Sequence, residues 1–177
     1  ILTKYNSSID NIRLVDIWND ITVIEGDIRN QDSLKQIPEY QPDIIYHLGA
    51  YNHVGDSFIH VKEALDCNVQ GTANVVEAYD GYERFIYTAT SEVYGYQERV
   101  PFAEDMNPEP ISPYAVGKYG GELFCRMKMK MADQRFVVLR PFNVYGPYQS
   151  PRAVIAEMIL TCLKGDPVYA TSGKQTR

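Results

Sequence analysis

The sequence predicts an α/β fold, a parallel β-sheet with helices over both of its faces. Two observations carry this expectation. Short apolar runs rich in β-branched residues alternate with longer segments whose apolar residues recur at helical spacing, which is the pattern of successive strand-helix-strand units. The chain of 177 residues, 45% hydrophobic and 23% charged, is also long enough to bury one sizeable core.

Taken in order, Ile21–Glu25 reads as a strand and Asp32–Ile37 as a short helix. Asp43–Leu48 is the next strand. The long helix expected over Ile59–Tyr79 rests on Leu65, Val69, Val76 and Tyr79, which fall near helical spacing. Arg84–Thr90 is a strand, and Pro113–Met131 is the third helix. Ser112 stands at its N-cap position and Pro113 at its first helical position, so the helix start is signalled locally. Phe136–Arg140 is the last strand. Two stretches exceed a bare sandwich: the Pro-rich, acidic loop Gly95–Ile111 and the tail Gly146–Arg177. Long loops at the carboxyl ends of parallel strands are where such sheets build their sites. The tail reads as the start of a second, substrate-holding region.

The formal net charge of −6 and the pI near 5.1 exclude a surface built to neutralise nucleic-acid phosphates, which needs clustered Lys and Arg. Cys67, Cys125 and Cys162 show no CxxC spacing and are expected as reduced thiols. His47, His53 and His60 lack ligand spacing, so packing or hydrogen bonding is expected of them and no metal site. No apolar run approaches the roughly 20 residues that cross a bilayer. The first residues also lack a basic region followed by an apolar stretch. A soluble, cytoplasmic protein is expected.

Tyr114 and Lys118 form a YxxxK pair, and that spacing puts both side chains on one helix face. A lysine cation beside a phenol stabilises the phenolate. For Tyr114 to act as a base near neutral pH its pKa must fall by about three units, or roughly 4 kcal/mol. The strand Arg84–Thr90 runs into Thr90-Ser91-Glu92-Val93-Tyr94-Gly95, which sets hydroxyls and a carboxylate at the carboxyl edge of the sheet. A hydroxyl there can hydrogen-bond a substrate oxygen that gains charge, and a carboxylate can move a proton to or from carbon. Each motif alone also fits a packed ring with a solvated amine, or an ordinary capped strand end.

Six blocks together resemble the extended short-chain dehydrogenase/reductase family, in particular its NAD-dependent epimerases and dehydratases of nucleotide sugars. They are Gly26-Asp27-Ile28, His47-Leu48-Gly49-Ala50, Asn68-Val69-Gln70-Gly71-Thr72, Thr90 to Gly95, Tyr114 to Lys118, and Arg140-Pro141-Phe142-Asn143-Val144-Tyr145-Gly146-Pro147. The resemblance implies a partial Rossmann-like, doubly wound parallel sheet over residues 1–145 and a truncated substrate-binding region over 146–177. It implies that Asp27 and Ile28 contact the adenine, that Leu48, Gly49, Ala50, Tyr51 and Asn52 line the dinucleotide, and that Asn68 faces it from the long helix. Thr90, Ser91, Glu92, Tyr114 and Lys118 would be catalytic, with Lys118 also on the nicotinamide ribose. Phe142 would lie near the nicotinamide, Asn143 near the sugar nucleotide, and Arg177 on the substrate diphosphate.

The chain departs from this family in showing no GxxGxxG turn, which lets backbone approach a pyrophosphate. It therefore reads as a fragment lacking that segment and the C-terminal region. The expected cofactor is NAD; the alternative is NADP, because Lys4, Ser7 and Ser8 stand where an acidic residue would bind the ribose of NAD. The resemblance also implies a homodimer through a four-helix bundle, with Val75 and Met127 to Met131 on the outward faces. A nucleotide-sugar 4,6-dehydratase is the reading that Glu92 beside Ser91 favours. The Tyr5-Asn6-Ser7 stretch and the run from Arg140 through Ile155 resemble the UDP-N-acetylglucosamine branch. A 4-epimerase, a UDP-glucuronate decarboxylase and a non-catalytic dinucleotide binder are the alternatives.

Overall fold

The structure, a computed structural model, describes residues 2–3, 15–132 and 135–169. Residues 17–142 hold one compact unit, and residues 143–169 belong to a second. In the first unit, Leu2–Thr3 (β1) pairs in parallel with Ile24–Glu25 (β2). The short helix Gln31–Leu34 (α1) and a 3-10 turn at Ile37–Tyr40 lead to the main sheet. That sheet is parallel, with Ile44–His47 (β3), Arg84–Thr88 (β4) and Phe136–Leu139 (β5) in spatial order β3-β4-β5. Its register sets Phe85 beside Ile45 on one side and Phe136 on the other.

Parallel neighbours require crossover connections. Between β3 and β4 these are Val54–Ser57 (α2) and a continuous helical run made of Val61–Leu65 (α3), a π turn at Asp66–Gln70 and Gly71–Ala78 (α4). Between β4 and β5 the chain forms a 3-10 turn at Ser91–Tyr94 and the long helix Pro113–Ala132 (α5). The start of α5 is the one its sequence signals: Ser112 Oγ accepts from Ala115 N at 3.1 Å.

The core lies between the sheet and these helices. Phe85 and Tyr87 on β4 pack with Val75 and Val76 of α4, Cys125 of α5 and Leu34 of α1. Phe85 sits 5.5 Å from Tyr82 and 5.2 Å from Phe136, in tilted pairs that add to the burial of their apolar area. The other face of the sheet carries exposed Ile44, Tyr46, Val137 and Leu139. The described residues thus build one covered face of a doubly wound sheet. Val75, expected on an outward face, is buried at 5% and belongs to the core. The π turn takes one extra residue, which offsets the helical phase of everything after it and turns both Val75 and Val76 inward. Met127, Met129 and Met131 are exposed, as expected.

Fully buried Glu122 ties α5 to the end of β5. Its carboxylate accepts from Arg126 Nε at 2.8 Å and from Arg140 Nε and Nη2 at 3.0 and 2.6 Å. The Arg140 guanidinium lies 4.8 Å from the ring centre of Tyr94. A buried carboxylate is tolerated because these charged donors satisfy it.

In the second unit the tail forms the helix Val154–Lys164 (α6), stopped by Gly165 at φ 76. A glycine in the left-handed region is a common helix terminator, because a side chain there would be strained.

Candidate functional site

The carboxyl ends of β4 and β5 meet where the sequence places its hydroxyl and carboxylate groups. Ala89 N donates to Leu139 O at 2.7 Å and Ser91 N to Pro141 O at 3.0 Å. Thr90 is extended, and its Oγ1 accepts from Glu92 N at 3.2 Å, capping the turn that carries Ser91 and Glu92. The Thr90 hydroxyl lies near enough to the Tyr114 phenol to favour its phenolate, and Glu92 is close enough to act on it electrostatically. Thr90, Glu92 and Tyr114 thus form one cluster, with Ser91 in the same turn.

Lys118 lies one helical turn beyond Tyr114 and is only 3% exposed. Its Nζ sits 4.7 Å from the ring centre of Tyr87, a cation over an aromatic face. Burial lowers its pKa to about 8. The Tyr114 phenol moves the opposite way from the expected shift: burial pushes it above the ordinary tyrosine value, the nearby Thr90 hydroxyl pulls it down, and the Glu92 charge raises it again. Desolvation of the phenolate outweighs what the surrounding side chains supply.

Behind this cluster stands a buried polar chain. Tyr87 Oη donates to Lys118 O at 2.9 Å, and the His47 ring stacks on Tyr87 with centroids 5.8 Å apart. Thr72 Oγ1 gives its proton to Asn68 O at 2.8 Å, so it accepts from His47 Nε2 at 3.0 Å. That fixes the His47 tautomer with its proton on Nε2. Burial, reinforced by Lys118, lowers the His47 pKa to about 3, so the ring is neutral. His53 caps α2, and His60 precedes α3. Among the described residues no group of three or more His, Cys, Asp and Glu side chains is placed to hold a metal.

The segment after β3 forms a second group. Leu48 is 71% exposed, and Gly49 and Asn52 are exposed as well, whereas Ala50 and Tyr51 are half-buried. Asn68, buried in the π turn, holds this segment from both sides: Tyr51 N donates to its Oδ1 at 2.8 Å, and its Nδ2 donates to Tyr51 O at 3.0 Å. A π turn at such a residue is a common way to re-aim a side chain. The Ile28 side chain packs over Gly49 and Gly71. Asp27 is engaged by Arg29, whose Nε and Nη2 reach its oxygens at 2.9 and 2.5 Å. Phe142 is reached by an aromatic ladder, 5.9 Å from Phe102, itself 5.3 Å from Tyr94. Asn143 is exposed and belongs to the second unit. Arg177, Lys4, Ser7 and Ser8 lie outside the described residues.

Sequence reasoning misses Ser57, Tyr87, Glu122 and the glycines of α5. The last had a signal. Glycine inside a helix costs about 1 kcal/mol against alanine, so Gly117, Gly120 and Gly121 in one helix ask for a reason. Close approach supplies it. A Cβ at Gly117 would meet Asn68 Cβ at 3.0 Å, and one at Gly121 would collide with Tyr87 Oη and come within 2.7 Å of Asn68 O.

Comparison with known proteins places this geometry among relatives. The model of the "NAD dependent epimerase/dehydratase family" matches residues 2–177. The chain is similar to dTDP-D-glucose 4,6-dehydratase of Mus musculus, 36% identical over 158 residues that make up 88% of this chain and 44% of that one. Among solved structures, UDP-glucuronic acid 4-epimerase from Bacillus cereus, in complex with UDP-glucuronic acid and NAD, superposes with a TM-score of 0.78 at 32% identity, covering 89% of this chain and 50% of that one. The dTDP-glucose 4,6-dehydratase DesIV from Streptomyces venezuelae gives 0.81 at 28% identity, covering 93% and 52%. This chain therefore spans about half the length of the relatives it matches.

Proposed function

Because the chain belongs to the NAD dependent epimerase/dehydratase family, we propose that it forms part of a nucleotide-sugar 4,6-dehydratase that works through a 4-keto sugar with a nicotinamide cofactor. The observation that carries this reading is Thr90 and Glu92, a hydroxyl and a carboxylate held in one capped turn on the carboxyl edge of the sheet, near the Tyr114 phenol. The relatives include both dehydratase and epimerase. Glu92 favours the former, since a simple 4-epimerase needs no base for C5.

The residues fit a dinucleotide. Lys118 is buried on an aromatic face, and among the described residues no carboxylate pairs with it. A buried ammonium so placed suits hydroxyl acceptors such as those of a ribose. Lys118 would hold the nicotinamide ribose, the Leu48 to Asn52 segment with Asn68 would line the dinucleotide, Asp27 and Ile28 would meet the adenine, and Phe142 would stand near the nicotinamide. When bound, that cofactor supplies the hydride acceptor. NAD is the first choice; NADP, the alternative, depends on Lys4, Ser7 and Ser8.

In this reading Tyr114 takes the proton of the sugar C4 hydroxyl as the C4 hydrogen leaves as hydride, and Thr90 hydrogen-bonds the same oxygen. The ketone so formed acidifies C5. Glu92 would then remove the C5 proton and pass it to the C6 hydroxyl, which departs as water, and the hydride taken from C4 would return to C6, so that one water is lost in all. Residues 146–177 would begin the substrate region, with Asn143 near the sugar nucleotide and Arg177 on the diphosphate. The exposed face of α5 that carries Leu123, Met127 and Met131 would pair in a homodimer, and a monomer mass by light scattering contradicts that part.

Glu92→Gln in the gene product that carries this chain tests the reaction. Dehydrated product should fall by about a hundredfold or more while oxidation at C4 persists. Unchanged product formation removes the dehydratase assignment.

A further inference from the structure

The first turn of α5 leaves backbone donors that need partners from outside the helix. Pro113 brings none. Ala115 N donates to Ser112 Oγ at 3.1 Å and Val116 N to Ser112 O at 2.9 Å. The remaining donor is Tyr114 N, and its acceptor is Ser57 Oγ at 3.2 Å, which stands 57 residues earlier in the chain.

Ser57 is fully buried. Its own proton goes to Val54 O at 2.6 Å, which turns an oxygen lone pair toward Tyr114. Ser57 closes α2, whose other end is capped by His53 Nδ1 accepting from Asp56 N at 3.0 Å. The chain enters α2 from the segment Leu48 to Asn52, and Asn68 fixes Tyr51 in that segment through both its N–H and its C=O. Asn68 in turn lies against Gly117 of α5. The loop and the start of α5 are therefore joined at two points, one of them the backbone of Tyr114 itself.

We infer that Ser57 is a positioning residue for Tyr114, locking the backbone of the tyrosine base to the loop that lines the cofactor, so that phenol and cofactor site keep one geometry. This rests on the function proposed above, in which Tyr114 takes the C4 proton. A hydroxyl that merely closed a hydrogen bond would affect stability alone. A positioning hydroxyl also affects the chemical step, because a displacement of about 1 Å costs up to a hundredfold in rate.

The test uses Ser57→Ala in the gene product that carries this chain, beside the unaltered protein. The expected result is a kcat lower by about tenfold or more, with KM within about twofold. The acidic limb of the kcat profile should move to higher pH by about half a unit, because the phenolate loses its alignment with the Thr90 hydroxyl that favours it. Ser57→Thr keeps an oxygen able to bond the carbonyl three residues back and should recover most of kcat. If Ser57→Ala is not recovered folded, Ser57→Cys carries the same expectation with a weaker acceptor of similar size. Wild-type kcat and an unmoved pH profile in the variant overturn the inference while leaving the functional reading intact. An unaltered protein that turns over no nucleotide sugar overturns the functional reading, and the inference with it.

Discussion

His47 lies under Tyr87 as a neutral ring, its pKa lowered to about 3 by burial and by the Lys118 cation. In an unfolded chain a histidine titrates near 6.5, so between these values the unfolded state binds a proton that the folded state refuses. The sign follows: stability is full above pH 6.5 and falls as the pH drops toward 3, by up to about 1.4 kcal/mol per unit. His47→Gln keeps an amide donor for Thr72 and removes the titration. The difference in urea midpoint between pH 7 and pH 5 should shrink in this variant, and an undiminished difference would contradict the burial argument. The same residue shows what a sequence discloses at this scale. Missing ligand spacing already points to packing or hydrogen bonding for His47, and the YxxxK spacing marks Tyr114 and Lys118. Ser57 carries no motif, because its partner Tyr114 N stands 57 residues away, and Glu122 shows only its helical pair with Arg126, while its bond to Arg140, 18 residues on, leaves no signal. The upward shift of Tyr114 is equally illegible, since it depends on how much water the fold removes.

Among elements, α5 does the most to shape the candidate site. It carries Tyr114 and Lys118 on one face, and its glycines bring it onto the π turn and β4. Replacing a helical glycine by alanine ordinarily stabilises by about 1 kcal/mol. At Gly121 the sign should reverse, because the new methyl meets Tyr87 Oη and Asn68 O; a loss of roughly 1–3 kcal/mol in chemical denaturation is expected. A gain in stability would show that the contact is loose. The strands are legible to within a few residues, since β-branched runs and their flanking turns mark β3, β4 and β5 directly. The π turn is not, because Asp66–Gln70 has the composition of ordinary helix and only its tertiary neighbours select the wider turn. The four residues of α2 are too few to show a period. Helix α6 had signals, apolar Ile155, Ile159 and Leu163 at helical spacing and Gly165 beyond its end, yet no helix is assigned within Gly146–Arg177 when that stretch is read only as a tail.

At the scale of the molecule, the family follows from order and spacing across nearly the whole sequence, and the match over residues 2–177 agrees with it. Among the described residues no helix is long and apolar enough to cross a membrane. The reaction is less legible than the family. The relatives include enzymes of different outcome, and one carboxylate, Glu92, carries the distinction. The most direct measurement is mass spectrometry of the products formed when the gene product that carries this chain meets UDP-, GDP- and dTDP-sugars with NAD or NADP, with Tyr114→Phe as the control. Loss of one water from a sugar, absent in the control, is the predicted result. A product of unchanged mass, loss of carbon dioxide, or equal turnover by the control would contradict it.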